Sequence, residues 1–196
     1  MKRYVLTGGH GVGKSSVIAE LELRGEHVVH EAAATIRSVG RAQGQAFPED
    51  MPDFESRALS LHFQRESQVP TSAQRVFFDR GAPDHLAYSR TGRWPLTQAE
   101  VAACRSTHYD LAFLAEPPSS GPPTVDRVEA AFCRRLVAAI EETYTELGTP
   151  VVKLPYGPVS DRVALVLRTV HASAATLVVP MPSSTRPANL KWRNSP

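Results

Sequence analysis

The sequence predicts an α/β fold, a doubly wound three-layer α/β/α domain built on a five-stranded parallel sheet. Three observations carry this expectation. Short apolar runs alternate with amphipathic segments along the chain. The first run flows directly into a glycine-rich turn and a helix. A chain of 196 residues with 42% apolar content can bury one good core and is too short for two ordinary domains.

Tyr4, Val5 and Leu6 read as a first buried strand, and Val17, Ile18 and Leu21 recur at helical spacing after it. His27–His30 is a short second strand, followed by an Ala-rich helix over Glu31–Arg41. Gly44, Pro48 and Pro52 mark residues 43–52 as a loop, and Asp53 N-caps a helix running to about Val69. Arg75–Asp79 is a third strand, with apolar residues on both faces. Two shorter helices, Pro83–Ser89 and Thr97–Ser106, precede a fourth strand over Tyr109–Ala115. Residues 116–124 are rich in Pro, Ser and Gly and read as a connection outside the core. A long helix from about Val125 to Leu147 stops at Gly148, where a left-handed residue is expected. Val151–Leu154 is the fifth strand and Ser160–Val170 the last helix. The domain is therefore expected to span residues 1–170, with 171–196 an extended or disordered tail.

The turn after the first strand, Gly8-Gly9-His10-Gly11-Val12-Gly13-Lys14-Ser15, matches G-x-x-x-x-G-K-S, the P-loop of a nucleoside triphosphate site. Glycines at 8, 9, 11 and 13 remove Cβ atoms that would keep backbone N–H groups from turning inward around phosphate oxygens. A helix beginning near Gly13 aims its positive end at the same phosphates. Lys14 supplies a mobile cation for the β- and γ-phosphates, and the Ser15 hydroxyl is placed to ligate the bridging Mg²⁺. Ser16 completes the run. The fold expected is thus that of a P-loop NTPase, with ATP and Mg²⁺ as cofactors.

In such a sheet, chemistry gathers at the carboxyl ends of the strands. Asp79 closes the third strand as a second metal ligand should, with a cap on the turn at Gly81 as its plainer role. Arg80 follows as a permanent cation suited to a substrate or transition-state anion, or to a surface ion pair. Glu31 ends the second strand, which is expected close to the P-loop strand. Its carboxylate serves either as a general base for an alcohol acceptor or as a complement to the helix dipole. Arg127 and Arg134 share a helix face and read as a lid over the phosphates or as a solvated face, the latter favoured for Arg134 and Arg135. His10 reads as a variable loop position. Asp84, His62, Tyr88 and Trp94 are candidates for an acceptor pocket, Asp84 foremost because it lies one turn past Arg80.

Composition narrows the partners. The formal charge of +2 arises from 22 basic and 20 acidic residues spread along the chain, without the basic stripe of a nucleic-acid binder. Cys104 and Cys133 lack metal-site spacing and fit reduced thiols on helices. No apolar run approaches the ~20 residues of a membrane span, and no signal peptide precedes the first strand, so a cytoplasmic protein with no membrane partner is expected. A homodimer stays open.

Taken together, GGHGVGKSS, VVHEAA, FFDRGAPDHLAY, YDLAFLAEPP and ETYTELGTPVVKLPYGPVSDRV resemble the small AAA-type family of P-loop ATPases and kinases. That family is related to the nicotinamide riboside kinase domain and, more distantly, to thymidylate and deoxynucleoside kinases. The resemblance covers residues 2 to about 170. It implies ATP and Mg²⁺ at Gly8–Ser16, metal support from Asp79, and a pairing of Glu31 with Arg80 beside an acceptor hydroxyl. It also implies that the stretch from Tyr156 through Gly157 to Val159 lies beside the adenine. The chain departs from related lids at Ser119-Ser120-Gly121-Pro122-Pro123, which leaves Arg127 as the only matched lid cation. The function expected is an ATP-dependent small-molecule kinase with a hydroxyl acceptor, a nucleoside or a metabolite. The alternative is a P-loop ATPase acting as a nucleotide-dependent switch with a protein partner.

Overall fold

The computed structural model describes residues 1–45, 53–92, 94–118 and 127–176, with the side chains of 127–130 and 174–176 excepted. Its organisation follows from the two-residue side-chain period of buried strands. In β1 (Lys2–Gly8), Tyr4 and Leu6 enter one core cluster and Val5 the other. β3 (Arg75–Asp79) and β4 (Leu111–Ala115) divide the same way: Phe77 and Phe113 face one side, Phe78, Ala112 and Leu114 the other.

Helices cover both faces. On the first, α1 (Lys14–Leu23) packs against α7 (Val159–Thr176) through Val17, Ile18, Leu21, Val163 and Val166. On the second, α4 (Ala82–Arg90) packs against α6 (Arg127–Glu146), with Leu136, Ile140 and Tyr144 reaching the sheet. Full burial of a Phe or Leu side chain contributes about 1.5–3 kcal/mol, so these two apolar layers hold the sheet between the helices. Beyond β2 (His27–Val29), α2 (Ala32–Ala42) and α3 (Phe54–Ser67) build a small flanking cluster of Ile36, Phe54 and Ala58. The remaining elements are α5 (Gln98–Arg105) and β5 (Val151–Leu154).

All pairings are parallel, in the order β2-β3-β1-β4-β5. From the central β1 the chain passes outward to β2, returns to β3, then crosses to β4 on the other side. The strand order reverses at the carboxyl end of β1, where Leu6 is in register with Asp79 and Gly8 with Ala115. A ligand site is expected at that crevice.

Two details differ from the sequence reading. The second strand is not beside the P-loop strand, because β3 lies between them. Its three residues, with His27 exposed, suit an edge, whereas the fully apolar Val76–Phe78 run suits the interior. The last helix continues past Val170 to Thr176, since His171–Thr176 is Ala-rich and holds no proline to stop it. Residues 177–196 lie outside the described residues, as do 119–126. Gly148 does end α6 in the left-handed region, with φ 74°. Cys104 is buried on α5 and Cys133 half-buried on α6. Among the described residues no helix is long and apolar enough to cross a membrane.

Candidate active site

The loop from Gly8 to Gly13 joins the end of β1 to α1. Gly8 has φ 132°, and a Cβ there would stand 2.6 Å from the Ala115 carbonyl oxygen. The close approach of β1 to β4 therefore demands this glycine, rather than freedom to wrap an anion. Gly13 takes up φ 77° and ψ 22° as the N-cap of α1 with no side-chain cap bond. The N–H groups of that first turn remain available to an anion. Lys14 is only 6% exposed, and its Nζ donates to the Gly9 carbonyl at 2.5 Å. Burial, reinforced by the Arg80 charge, pushes its pKa down to about 7 against the pull of Asp79, Glu31 and Asp84.

Beside it, Ser15 Oγ donates to Asp79 Oδ2 at 2.8 Å. Asp79 Oδ1 is buried without a hydrogen-bond partner. Burial pushes the Asp79 pKa up, partly countered by the Ser15 hydrogen bond, so a cation on the orphaned oxygen would restore the charged form. A hydroxyl and one carboxylate fit Mg²⁺, which takes its other ligands from phosphates and water. Among the described residues no group of three or more His, Cys, Asp or Glu side chains forms a self-sufficient metal cage.

Arg80 is the only non-glycine residue with positive φ (69°) among the described residues. Its strained backbone is held by its own N–H donating to the Leu6 carbonyl at 3.0 Å. Its side chain is 7% exposed. There Nη1 donates to the Gly8 carbonyl at 3.0 Å and to Asp84 Oδ1 at 3.3 Å, and Nε lies 3.5 Å from Glu31 Oε1. Burial alone would lower the Arg80 pKa, but Tyr88, Glu31, Asp84 and Asp79 raise it, so the cation is permanent.

Glu31 occupies the N-cap of α2, yet its side chain makes no cap bond. It accepts from Arg37 Nη2 at 2.9 Å and lies 3.5 Å from Arg80 Nε through Oε1. Burial raises its pKa, but Arg80 and Arg37 outweigh this and hold the carboxyl below its usual range. Arg65 fixes the preceding turn by donating to the His30 and Glu31 carbonyls and to Thr35 Oγ1.

Asp84 is 1% exposed and saturated with donors: Thr7 Oγ1, Arg80 Nη1, the Gly81 N–H and the Tyr144 hydroxyl. It borders the acceptor pocket expected from the sequence, but these partners make it the support that aims Arg80. Gly81 precedes α4 and its N–H donates to Asp84 Oδ2 in the third helical residue, so one helix start places both the carboxylate and the arginine.

Between Arg80, Glu31 and α3 lies a narrow slot. Its free interior is about 30 Å³, within about 440 Å³ of concave space that includes the mouth. Phe54, Tyr88 and Trp94 form an aromatic wall, with ring centroids 5.3 Å apart for Tyr88–Trp94 and 5.9 Å for Phe54–Trp94. Arg80 lies over Tyr88 at 5.5 Å and Arg37 over Phe54 at 6.0 Å. His10 reaches from the P-loop to hydrogen-bond the Tyr88 hydroxyl at 3.1 Å, which joins the phosphate loop to this wall. His62 borders the floor, together with His85, whose Nδ1 meets Glu55 Oε1 at 2.5 Å.

The fold thus gathers Lys14, Ser15, Glu31, Asp79 and Arg80 at one crevice, with Gly9, His10, Gly11, Val12 and Gly13 around it. Ser16 is exposed on the first turn of α1. Tyr156, 56% exposed, and Gly157 sit in the loop between β5 and α7. Arg127 opens α6, but its side chain lies outside the described residues, and Arg134 is exposed on the solvated face. Sequence reasoning missed Arg37, Glu55, His85, Tyr144 and Arg162. Only Arg37 carried a usable signal, lying six residues past Glu31 on the helix that Glu31 caps.

Comparison with solved structures shows the same fold. Thymidylate kinase from Ehrlichia chaffeensis is 12% identical, with TM-score 0.61 over 86% of this chain and 98% of that one. Deoxyadenosine kinase from M. mycoides, solved with dCMP and dCDP, is also 12% identical, with TM-score 0.60 over 87% and 99%. NadR in complex with NAD and AMP-PNP is 15% identical with TM-score 0.66, where 97% of this chain covers 52% of that chain. No curated protein matches the chain. The model of the AAA domain family matches residues 3–162, so the phosphate loop, Asp79, the aromatic slot and the β5–α7 loop all fall inside one recognised unit, and the chain belongs to that family.

Proposed function

We propose that this protein is an ATP-dependent kinase that transfers the γ-phosphoryl group to a hydroxyl of a nucleoside or nucleoside-like metabolite. The observation that carries the reading is the Glu31–Arg80 pair, 3.5 Å apart, between the phosphate loop and the aromatic slot. A pure hydrolase has no need of an apolar slot opposite its phosphate loop. A flat ring suits walls of Phe54, Tyr88 and Trp94.

Lys14 grips the β- and γ-phosphates, and the N–H groups at the start of α1 take up further oxygens. Ser15 and Asp79 would hold Mg²⁺, which when bound would supply charge neutralisation at the transferring group. Glu31, ionised throughout the neutral range, accepts the acceptor's hydroxyl proton as the new P–O bond forms and the γ-phosphoryl leaves ADP. Arg80 neutralises charge on the transferring oxygens, and Asp84 keeps it aimed. Tyr156 and Gly157 flank the adenine.

The test incubates the protein with Mg-ATP and a panel of nucleosides, nucleotides and hydroxylated metabolites, following ADP release and product mass. Acceptor-dependent ADP with a product heavier by one phosphoryl group is expected. ADP release indifferent to every acceptor sinks the kinase reading and favours the ATPase switch. Lys14→Ala should abolish phosphate binding. Glu31→Gln should spare ATP binding and cut turnover about 100-fold or more; an undiminished rate removes Glu31 as the base.

A further inference from the structure

Arg162 lies in the first turns of α7 and is 4% exposed, yet no part of the reaction described above uses it. Its Nη1 donates to the Val12 carbonyl in the P-loop at 2.8 Å, across 150 residues of sequence. Its Nε and Nη2 are buried with no hydrogen-bond partner. Among the described residues it has no carboxylate partner; the group that raises its pKa against burial is the Tyr156 phenol. A buried guanidinium with one carbonyl partner is costly, and such a charge persists where something offsets it.

The contact has a geometric consequence for the loop. A trans peptide is planar, with its C=O and N–H on opposite sides, and no described peptide is cis. Holding the Val12 oxygen against the guanidinium of α7 therefore turns the Gly13 N–H to the opposite side, away from α7. Gly13 is the N-cap of α1 in the left-handed region, so this N–H stands at the positive end of the helix. The fit is close: a Cβ on Gly13 would come within 3.0 Å of Arg162 Nη1.

We propose that Arg162 is a positioning residue for polyphosphate binding: it clamps the Val12–Gly13 peptide so that the Gly13 N–H faces the phosphates, and its unpaired charge strengthens the field there. The role belongs to the nucleotide side of the reaction and rests on residues 8–16 being the phosphate cradle. A bound polyphosphate supplies the negative charge that the protein does not place beside Arg162. Lysine at this position keeps the charge and one bond to Val12, but loses the planar fork. Glutamine loses the charge.

The test titrates the full chain with AMP-PNP and, separately, with inorganic tripolyphosphate, both with Mg²⁺, for the native protein, Arg162→Gln and Arg162→Lys. Arg162→Gln should weaken both ligands by roughly 10- to 100-fold, the loss of one charge-assisted hydrogen bond. Arg162→Lys should recover most of that loss. In ¹⁵N-glycine-labelled protein, tripolyphosphate should shift the Gly13 amide resonance in the native and lysine forms and leave it unmoved in the glutamine form. In turnover, KM for ATP should rise while KM for the acceptor stays constant. Unchanged affinity in Arg162→Gln overturns the proposal, as does a Gly13 amide that responds in the glutamine form as in the native one. Should Arg162→Gln fail to melt cooperatively, Arg162→Lys decides alone: a few-fold weaker affinity supports the clamp and native affinity overturns it. A native protein that binds neither ligand overturns the cradle itself, an outcome distinct from a native protein and variant that bind alike.

Discussion

Tyr144, two residues before the end of α6, donates its hydroxyl to Asp84 Oδ2 at 2.7 Å, across 60 residues of sequence. A helix on one face of the sheet thereby fixes the carboxylate that aims Arg80. Tyr144→Phe leaves that oxygen the Gly81 N–H alone. The variant should lose about 1–2 kcal/mol of stability in urea denaturation. Its turnover should fall further than its affinity for AMP-PNP, because the slackened group is Arg80.

Arg80 joins the Gly8 carbonyl, Asp84 and Glu31 with one guanidinium. Arg80→Lys keeps the charge but cannot span all three. We expect kcat to fall roughly 100- to 1000-fold, in the range of a lost transition-state donor, with AMP-PNP affinity within a few-fold of native. Steady-state rates beside direct titration make the comparison.

Glu31 is held below the usual carboxylate range by Arg80 and Arg37. As a base it works ionised, so the acid limb of kcat/KM should lie below the usual carboxylate range, while loss of the Lys14 charge, with its pKa pushed down to about 7, should set the alkaline limb. Arg37→Met removes one guanidinium that holds Glu31 down and should move the acid limb upward in pH. A pH–rate profile of both proteins checks the direction of the shift.

His62 is buried against Tyr109, and burial pushes its pKa down to about 3, with His85, Arg3 and Arg65 adding to the effect. Glu66 lies near but is engaged by Arg3. The folded state therefore keeps His62 neutral where the unfolded chain, with pKa near 6.5, binds a proton. Its contribution is intact above pH 6.5 and is lost as pH falls from there toward 3, with a limiting slope of about 1.4 kcal/mol per unit. His62→Gln should flatten the stability profile between pH 6 and 4, measured by urea melts across that range.

Gly8→Ala should be among the most damaging single changes in the loop. The new Cβ would meet the Ala115 carbonyl at 2.6 Å, and the backbone has φ 132°. A loss of about 3 kcal/mol or more is expected from strain and the disturbed β1–β4 pairing, visible as a lowered Tm in a thermal melt.

What the sequence made legible was local in the chain. Gly8–Ser15 announces itself because every residue of the motif is contiguous, and Asp79 because an apolar run ends on it. The alternation of strands and helices follows from side-chain period alone. The position of β2 at the edge was not legible, since order in a parallel sheet depends on which faces the helices cover. Nor was the work of Asp84, whose partners Thr7 and Tyr144 lie 77 and 60 residues away. Arg162 escaped for the same reason, because its acceptor is a backbone carbonyl 150 residues distant and no side-chain pattern records it.

The hydrogen bond from Lys14 to the Gly9 carbonyl makes the loop its own competitor. A phosphate oxygen must displace an internal acceptor that is always at hand, so a lone monovalent anion gains little by arriving. A polyphosphate bound as proposed would engage Lys14 and the α1 amides together and so offset the lost bond. In the proposed site, preference for a polyphosphate over a lone anion would then begin at the Gly9 carbonyl, before any base or sugar is read.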